Sequence, residues 1–466
     1  MEIVEAGERH SEDDYAIGQA VFALTRARAW AEAERVVDSC RGTPWWCQML
    51  RGHVLAGSGA LEEAESAFDA MVISMPEAVR CEWTDLSWVL PANAWNRFDS
   101  DDCLEEAAAS ETVWWLSDPS YLIPGNEAKV VHYNRIALAT LHDDHILSAR
   151  GIVTDGLGHA YEHHRVLLRR GMRRVEYDQA WAEPSRPFYN VIPSPSAMRD
   201  PLHSRSDAWD LDWGGNDVGT EVSFGELATI EPQVAFFQRG DSILATAAID
   251  LPAGPVAGSP VREAALVLRS GPDSSLFASI TNESRQRYVF SRMAPPGRYL
   301  VSVEAWSAQG IGRSRFGHGL ERTSGSPVWL SDLLLYSASD PAGVDSLDDA
   351  LVAMRGSHNW RLGDRVGLYL EVYGVEDPTG FDVTVSVAQV EAGGVLGGLR
   401  RLLGSGAAEP VEVAWRQQPS IGVASVGLTI PLRNLEPGEY QIEVEVETGF
   451  GSPVAAHRRI VVLRAR

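Results

Sequence analysis

Residues 436–447 read EPGEYQIEVEVE, and residues 295–306 read PPGRYLVSVEAW. In both stretches Pro-Gly supplies a turn and a tyrosine opens the run that follows. The first run places Tyr440, Ile442, Val444 and Val446 on one side and Gln441, Glu443, Glu445 and Glu447 on the other. This period of two predicts an antiparallel strand that is buried on one face. The run that begins at Tyr299 shows a similar alternation.

A second pair of similar stretches precedes these two. They read RGDSILATAAID at residues 239–250 and LGDRVGLYLEVY at residues 362–373. The interval from upstream to downstream stretch is longer in the second copy, and the excess matches the length of the Gly-rich segment 391–408. Turn signals and short strands at this density are typical of immunoglobulin-like sandwiches. We therefore predict a duplicated β-sandwich, at residues 226–325 and 326–466, with a Gly-rich insertion in the second copy.

Residues 1–110 instead show apolar positions at three- and four-residue spacing, which predicts helices. Gly52, Ala64, Phe68 and Pro76 match the tetratricopeptide pattern, in which small residues let two antiparallel helices approach each other. The stretch AWAEAERVVDSC from Ala29 also resembles ALEEAESAFDAM, which begins at Ala60. We predict tetratricopeptide-like helical hairpins over residues 1–110, with a plain helical bundle as the alternative. The fold class is therefore multidomain α + β.

Two further segments lie between the helices and the sandwiches. Residues 111–181 form a helical region, and residues 182–225 contain five prolines that interrupt any regular pattern. We interpret residues 182–225 as a Pro-rich linker.

Residues 114–171 carry a set of residues with recognisable spacing. The set consists of Trp115, Asp118, Pro119, Asn126, Glu127, Arg135, Gly151, Thr154, Asp155 and Gly171. This stretch resembles the bacterial GWxTD domain family, although Ile152 replaces the tryptophan of the name-giving motif. The family's later Gly-x-Pro-Asp turn begins here with Gly171, Met172 and Arg173 and lacks the Pro-Asp.

The resemblance implies a bacterial, often exported protein without an established activity, and it brings no known catalytic residue. The residues themselves indicate structural roles. Asp118-Pro119 and Pro124-Gly125 have turn chemistry, and Asn126 can cap the helix that follows it.

Charge and hydropathy exclude some classes of function. The net charge is −24 without a Lys/Arg-rich stripe, so we expect no nucleic-acid binding. Lys129 is the single lysine, a bias that we attribute to a GC-rich genome. We expect no transmembrane segment because no apolar run is long enough. The acidic first fourteen residues do not look like a signal peptide. The family resemblance nevertheless favours an extracytoplasmic location over the cytoplasm.

The four cysteines, Cys40, Cys47, Cys81 and Cys103, all lie in the first quarter of the chain. Their spacing contains no CxxC pair, which argues against a zinc site. Buried free thiols in a helical core and two disulfides both remain open, and disulfides would indicate an oxidising compartment.

The string HAYEHH contains His159, Glu162 and His163 in the spacing His-x-x-Glu-His. On a helix, two imidazoles four residues apart can bind zinc while the glutamate between them serves as general base. Glu176 or Asp178 is a conceivable third ligand. The alternative is a solvated helix face without a metal, which we favour.

Two other segments have a composition suited to binding. Acidic residues at Asp207, Asp210, Asp212, Asp217 and Glu221 offer oxygen ligands for calcium, but their spacing does not fit an EF-hand. Residues 393–405 combine leucines with Arg400 and Arg401, a composition suited to peripheral membrane contact, although an exposed loop is the simpler interpretation.

Helical repeats followed by tandem sandwiches offer surfaces rather than pockets. The sequence therefore favours a non-enzymatic binding or scaffold protein of the bacterial cell envelope, with protein partners and without a cofactor. A zinc-dependent hydrolase that uses residues 159–163 is the alternative.

Overall fold

A computed structural model describes the following residues: 2–84, 103–149, 194–209, 226–251, 259–281, 285–320, 322, 327–339, 343–375, 380–390, 411–418, 423–449 and 452–464. The chain divides into two compact units. One comprises Met1–Ala228 with Gln309–Ile311, and the other comprises Thr229–Ala308 with Gly312–Arg466. We call them the helical unit and the sandwich unit.

The described helices of the helical unit are α1 (Glu2–Arg9), α2 (Asp14–Arg26), α3 (Trp30–Asp38), α4 (Pro44–Ser58), α5 (Leu61–Ser74), α6 (Glu77–Thr84), α7 (Cys103–Ser117), α8 (Glu127–Ala149) and α9 (Pro195–Arg199). Short 3₁₀ turns follow at Pro201–His203 and Ser206–Trp209. The first part of the chain is therefore helical, as the sequence predicts.

The turn between α2 and α3 recurs between α4 and α5. Arg28 and Gly59 both have positive φ, 56° and 89°. The N–H of Ala29 donates to the carbonyl of Leu24, and the N–H of Ala60 donates to that of Leu55 in the same way. The two helical hairpins therefore share one turn geometry at the period seen in the sequence.

Close packing inside the second hairpin depends on the absence of a side chain at Gly52. A Cβ there would lie 2.5 Å from the ring of Phe68, which is fully buried. The small residue thus lets α4 and α5 approach each other.

Helix α8 packs into the same hydrophobic core as the N-terminal helices. Val130, Tyr133, Ala137 and Leu141 join a buried cluster that also contains residues of α1 to α6. The predicted boundary at residue 110 consequently does not separate two cores.

The strands are β1 (Glu226–Thr229), β2 (Gln233–Arg239), β3 (Ser242–Asp250), β4 (Val261–Gly271), β5 (Ser274–Thr281), β6 (Arg287–Ala294), β7 (Arg298–Ser307), β8 (Gly310–Gly319), β9 (Trp329–Leu330), β10 (Leu334–Ser337), β11 (Asn359–Arg361), β12 (Arg365–Tyr373), β13 (Phe381–Gln389), β14 (Val411–Gln417), β15 (Val423–Pro431), β16 (Gly438–Glu447) and β17 (Val454–Leu463). Helix α10 (Leu347–Val352) follows β10, and a 3₁₀ turn at Leu432–Asn434 follows β15.

These strands form two sandwiches with the same order. The first pairs the sheet β2-β3-β6 with the sheet β1-β8-β7-β4-β5, and the second pairs β10-β12-β15 with β11-β17-β16-β13-β14, while β9 adds to β12. Each sandwich encloses its own apolar core. This strand order is found in immunoglobulin-like sandwiches, so the structure confirms the predicted β-sandwich region.

The two tyrosines that open the runs in the sequence make the same hydrogen bond. The hydroxyl of Tyr299 donates to the carbonyl of Pro295 at 2.7 Å, and that of Tyr440 donates to the carbonyl of Glu436 at 3.0 Å. A tyrosine corner of this kind fixes the turn before a central strand in many immunoglobulin-like domains. Its presence in both copies supports the duplication.

The two sandwiches stack through their smaller sheets. A third buried cluster joins Ala235, Phe237 and Ala248 of the first sandwich to Leu334, Tyr336, Leu347, Ala350, Met354 and Tyr369 of the second. Strands β3 and β12 are therefore covered on both faces, which explains why their burial does not alternate. The predicted Gly-rich insertion 391–408 lies outside the described residues, between β13 and β14.

Candidate functional site

The single lysine of the chain lies inside the helical unit, surrounded by carboxylates. The Nζ atom of Lys129, on α8, lies 2.7 Å from Asp69 and 3.7 Å from Glu65, both on α5, and 3.2 Å from Glu111 on α7. Its side chain is only 5% exposed. Burial alone would lower the pKa of Lys129, but the three carboxylates raise it, so the ammonium stays charged. The cluster therefore joins three helices electrostatically.

Asn126 connects the same three helices by hydrogen bonds. Its Oδ1 accepts from the N–H of Lys129 at 3.0 Å, so it caps α8 as the sequence predicts. Its Nδ2 donates to the carbonyl of Trp114 on α7, and its own N–H donates to Glu65 on α5. The loop before α8 approaches α5 closely, because a Cβ at Gly125 would lie 3.0 Å from the nitrogen of Glu62.

Two aromatic groups beside this cluster are fixed in one protonation state. Burial, together with the nearby Arg135, lowers the pKa of His132 to about 3, and its ring packs 4.8 Å from that of Trp114. Burial raises the pKa of Tyr133. His53 is likewise buried, bonded to Asn134 at 2.7 Å and Thr25 at 3.2 Å, and its pKa is lowered by burial. With these shifts, His132 and Tyr133 do not exchange protons near neutral pH.

A second polar cluster lies where the two sandwiches meet. Arg239 on β2 donates to both carboxylate oxygens of Glu371 on β12, at 2.7 and 2.9 Å. The hydroxyls of Tyr369 and Tyr373 donate to the same carboxylate, at 3.0 and 2.6 Å. Burial and the charge of Glu371 raise the pKa values of both tyrosines, which keeps them protonated as donors.

Asp332 forms the other polar contact of this interface. One of its oxygens accepts from the N–H of Phe236 at 2.7 Å and contacts Nε2 of His318 at 2.6 Å. Burial alone would raise the pKa of Asp332, but His318 and Arg458 hold it below its usual range. Arg458 in turn donates to the carbonyl of Val234 at 2.7 Å. The interface thus combines matched charges with backbone hydrogen bonds.

The described residues of the GWxTD-like motif set are buried. These are Trp115, Asp118, Pro119, Asn126, Glu127 and Arg135. The carboxylate of Asp118 accepts from the N–H of Ser120 at 3.0 Å, as expected for a turn residue. Gly151, Thr154, Asp155 and Gly171 lie outside the described residues.

Cys40, Cys47 and Cys81 form disulfides rather than buried free thiols. Cys40 and Cys47 are bonded, with 5.8 Å between their Cα atoms, and Cys81 is also disulfide-bonded. In the part of the chain that the structure describes, no cysteine is free.

The predicted zinc residues His159, Glu162 and His163 lie outside the described residues, as does the segment 393–405 with its expected membrane contact. Of the acidic stretch, Asp207 is described, and within the described ranges no three His, Cys, Asp or Glu side chains are grouped so that they could hold a metal ion. None of the described helices is both long and apolar enough to cross a membrane.

Comparison with known proteins adds little to this geometry. No family model and no curated protein matches the chain. Among solved structures, the FN1–FN3 domains of chicken CNTN1 are 13% identical, with a TM-score of 0.16, and the alignment covers 51% of this chain and 68% of that one. A red sea bream transglutaminase is 11% identical, with a TM-score of 0.16, over 50% of this chain and 32% of that one. Likenesses this weak carry no argument.

Proposed function

We propose that the protein is a non-enzymatic binding or scaffold protein of the bacterial cell envelope. The observation that carries this proposal is the contact between the two sandwiches. There the side chains of Arg239, Tyr369 and Tyr373 all donate hydrogen bonds to the carboxylate of Glu371. Groups that could do acid-base chemistry here instead fix the position of one sandwich against the other. A tandem pair held in this way presents its outer strands and loops in a constant arrangement.

The helical unit fits the same role. Hairpins that repeat along the chain expose an extended surface when they stack, and tetratricopeptide-like repeats bind protein partners in this manner. The buried GWxTD-like residues support the hairpins from the start of α8, through Asn126 and Lys129. We therefore assign partner contacts to the exposed helical faces, and a supporting role to the stretch that resembles the GWxTD family.

The disulfide between Cys40 and Cys47 supports a location outside the cytoplasm. Disulfides persist in the oxidising bacterial periplasm and at cell surfaces, whereas cytoplasmic thiols are kept reduced.

The test uses the tagged full chain in its own cells, with the envelope and the cytosol separated before affinity capture and mass spectrometry. We expect the protein in the envelope fraction together with a reproducible set of partners. In the same samples, alkylation under denaturing conditions without reductant reports the thiols, and we expect none to react. Recovery as a partner-free cytosolic protein with reactive thiols would contradict the proposal, and zinc analysis of the His159 region would then come first.

A further inference from the structure

The outer edge of the second sandwich is formed by β14, which reads VEVAWRQ from Val411 to Gln417. It is the last strand in its sheet and, among the described strands, it pairs with β13 alone. Val411 and Val413 are 50% and 45% exposed, although they lie on the same side of the strand as Trp415, which packs against the core. An edge strand with exposed apolar side chains is a template for pairing with another strand.

The sequence of β14 is complementary to itself when read in the opposite direction. If two copies pair antiparallel with Ala414 opposite Ala414, Glu412 of each copy lies opposite Arg416 of the other. In the same register, Val413 lies opposite Trp415, so the exposed Val413 of each copy is covered by an aromatic ring, and Val411 lies opposite Gln417. Opposite charges and aromatic–aliphatic pairs are the cross-strand combinations that stabilise a sheet.

The side chains already on the sheet fit this register. Arg416 lies 3.2 Å from Asp382 on β13, and both side chains are 55% exposed. The second copy's Glu412 would approach Arg416 from its open side, so the guanidinium would lie between two carboxylates. The equivalent edge strand of the first sandwich, β5, reads SSLFASIT and carries no charge that could set a register.

We propose that the protein forms a two-fold symmetric dimer by antiparallel pairing of β14 with β14 of a second copy. The two five-stranded sheets then become one continuous ten-stranded sheet. Because the same patch is used on both copies, the assembly closes at two chains and does not extend into a fibre.

Charge reversal tests this pairing directly. In the Glu412→Arg variant, an arginine at position 412 of each copy lies opposite Arg416 of the other. In the Arg416→Glu variant, a glutamate at position 416 of each copy lies opposite Glu412 of the other. We expect the dissociation constant of each variant's dimer to be about tenfold or more above that of the unchanged protein. An equimolar mixture of the two variants restores opposite charges at all four positions, so we expect dimers to return as heterodimers.

The measurement is sedimentation velocity of the full chain over a range of concentrations in about 0.15 M salt, which screens the long-range repulsion between two chains of net charge −24. Arg433→Glu, at an exposed residue of the turn after β15, controls for the change of net charge and should dimerise like the unchanged protein.

Melting curves establish that the variants are folded, and the double variant Glu412→Arg/Arg416→Glu, which is again self-complementary, provides a second assay if a single variant is unstable. An unchanged protein that remains monomeric at all concentrations would overturn the proposal. So would single variants that dimerise normally, or a mixture of folded variants that stays monomeric.

Discussion

The guanidinium of Arg239 and the carboxylate of Glu371 form a two-pronged hydrogen-bonded pair across the boundary between the sandwiches, at 2.7 and 2.9 Å. The side chain of Glu371 is 6% exposed and that of Arg239 is 32% exposed. Removal of Arg239 therefore leaves a carboxylate that water reaches poorly, which is more costly than the loss of a surface ion pair.

A double-mutant cycle should measure this coupling. We expect Arg239→Met and Glu371→Gln each to lower the free energy of unfolding of the sandwich unit by about 2 kcal/mol, with a coupling energy of about 1–2 kcal/mol. Denaturant titration provides the values. The control cycle uses Arg51 and Asp38, which are 2.6 Å apart but half exposed, and whose coupling should stay below about 1 kcal/mol. Equal coupling in both cycles would refute a special role for the interface pair.

The repeated helical turn gives a matched pair of backbone tests. Arg28 is exposed and has a φ of 56°, a conformation that costs a residue with a side chain about 1 kcal/mol. Arg28→Gly should therefore stabilise the helical unit by up to about 1 kcal/mol, as measured by denaturant titration. At the equivalent Gly59, where a Cβ would meet no atom within 4 Å, Gly59→Ala should destabilise by about 1 kcal/mol. Effects of the same sign would contradict the shared turn geometry.

Acid should destabilise the sandwich unit through His358. Burial and the nearby Arg458 lower the pKa of His358 to about 4, so the unfolded chain binds its proton first as the pH falls below about 6.5. The contribution of neutral His358 to the free energy of unfolding is complete above pH 6.5 and decreases toward pH 4. It decreases by about 2 kcal/mol between pH 6.5 and 5. We expect His358→Gln to flatten the pH dependence of unfolding by that amount. His457→Gln, at an exposed position, is the matched control for the loss of an imidazole.

The disulfide between Cys40 and Cys47 joins the end of α3 to the first turn of α4. Because it closes a short loop, we expect the paired change Cys40→Ser/Cys47→Ser to lower the free energy of unfolding of the helical unit by about 2 kcal/mol. Reductant should likewise lower the free energy of unfolding of the unchanged protein. It should lower that of the variant by a smaller amount. Equal stability of the two proteins without reductant would count against the bond.

The parts of the fold that are visible in the sequence are those with one exposed face. The alternation after Tyr440 predicts β16 and its buried side correctly. Strands β3 and β12 show no such alternation because a second sheet covers them, so sequence identifies them as a related pair without revealing the interface. Arg239 and Glu371 are far apart in the sequence, and no local pattern connects them.

The candidate sites were harder to predict than the fold. Asn126 was predictable as a helix cap because the capping interaction is local. The carboxylates around Lys129 come from two helices, α5 and α7, so no local pattern brings them together. The sequence did contain one signal, because Glu65 and Asp69 lie one helical turn apart and form one acidic face of α5. Our attribution of the single lysine to genome composition does not explain its burial.

The burial of Lys129, the single lysine, makes the folded chain unusually inert to chemistry that targets lysine side chains. Reagents that acylate or cross-link lysines can reach this side chain only when α5, α7 and α8 separate, because its exposed fraction is 5%. The rate at which Lys129 is labelled in the native protein therefore reports how often the helical unit opens. A map of the protein's neighbours must instead rely on reagents for carboxylates or for arginine.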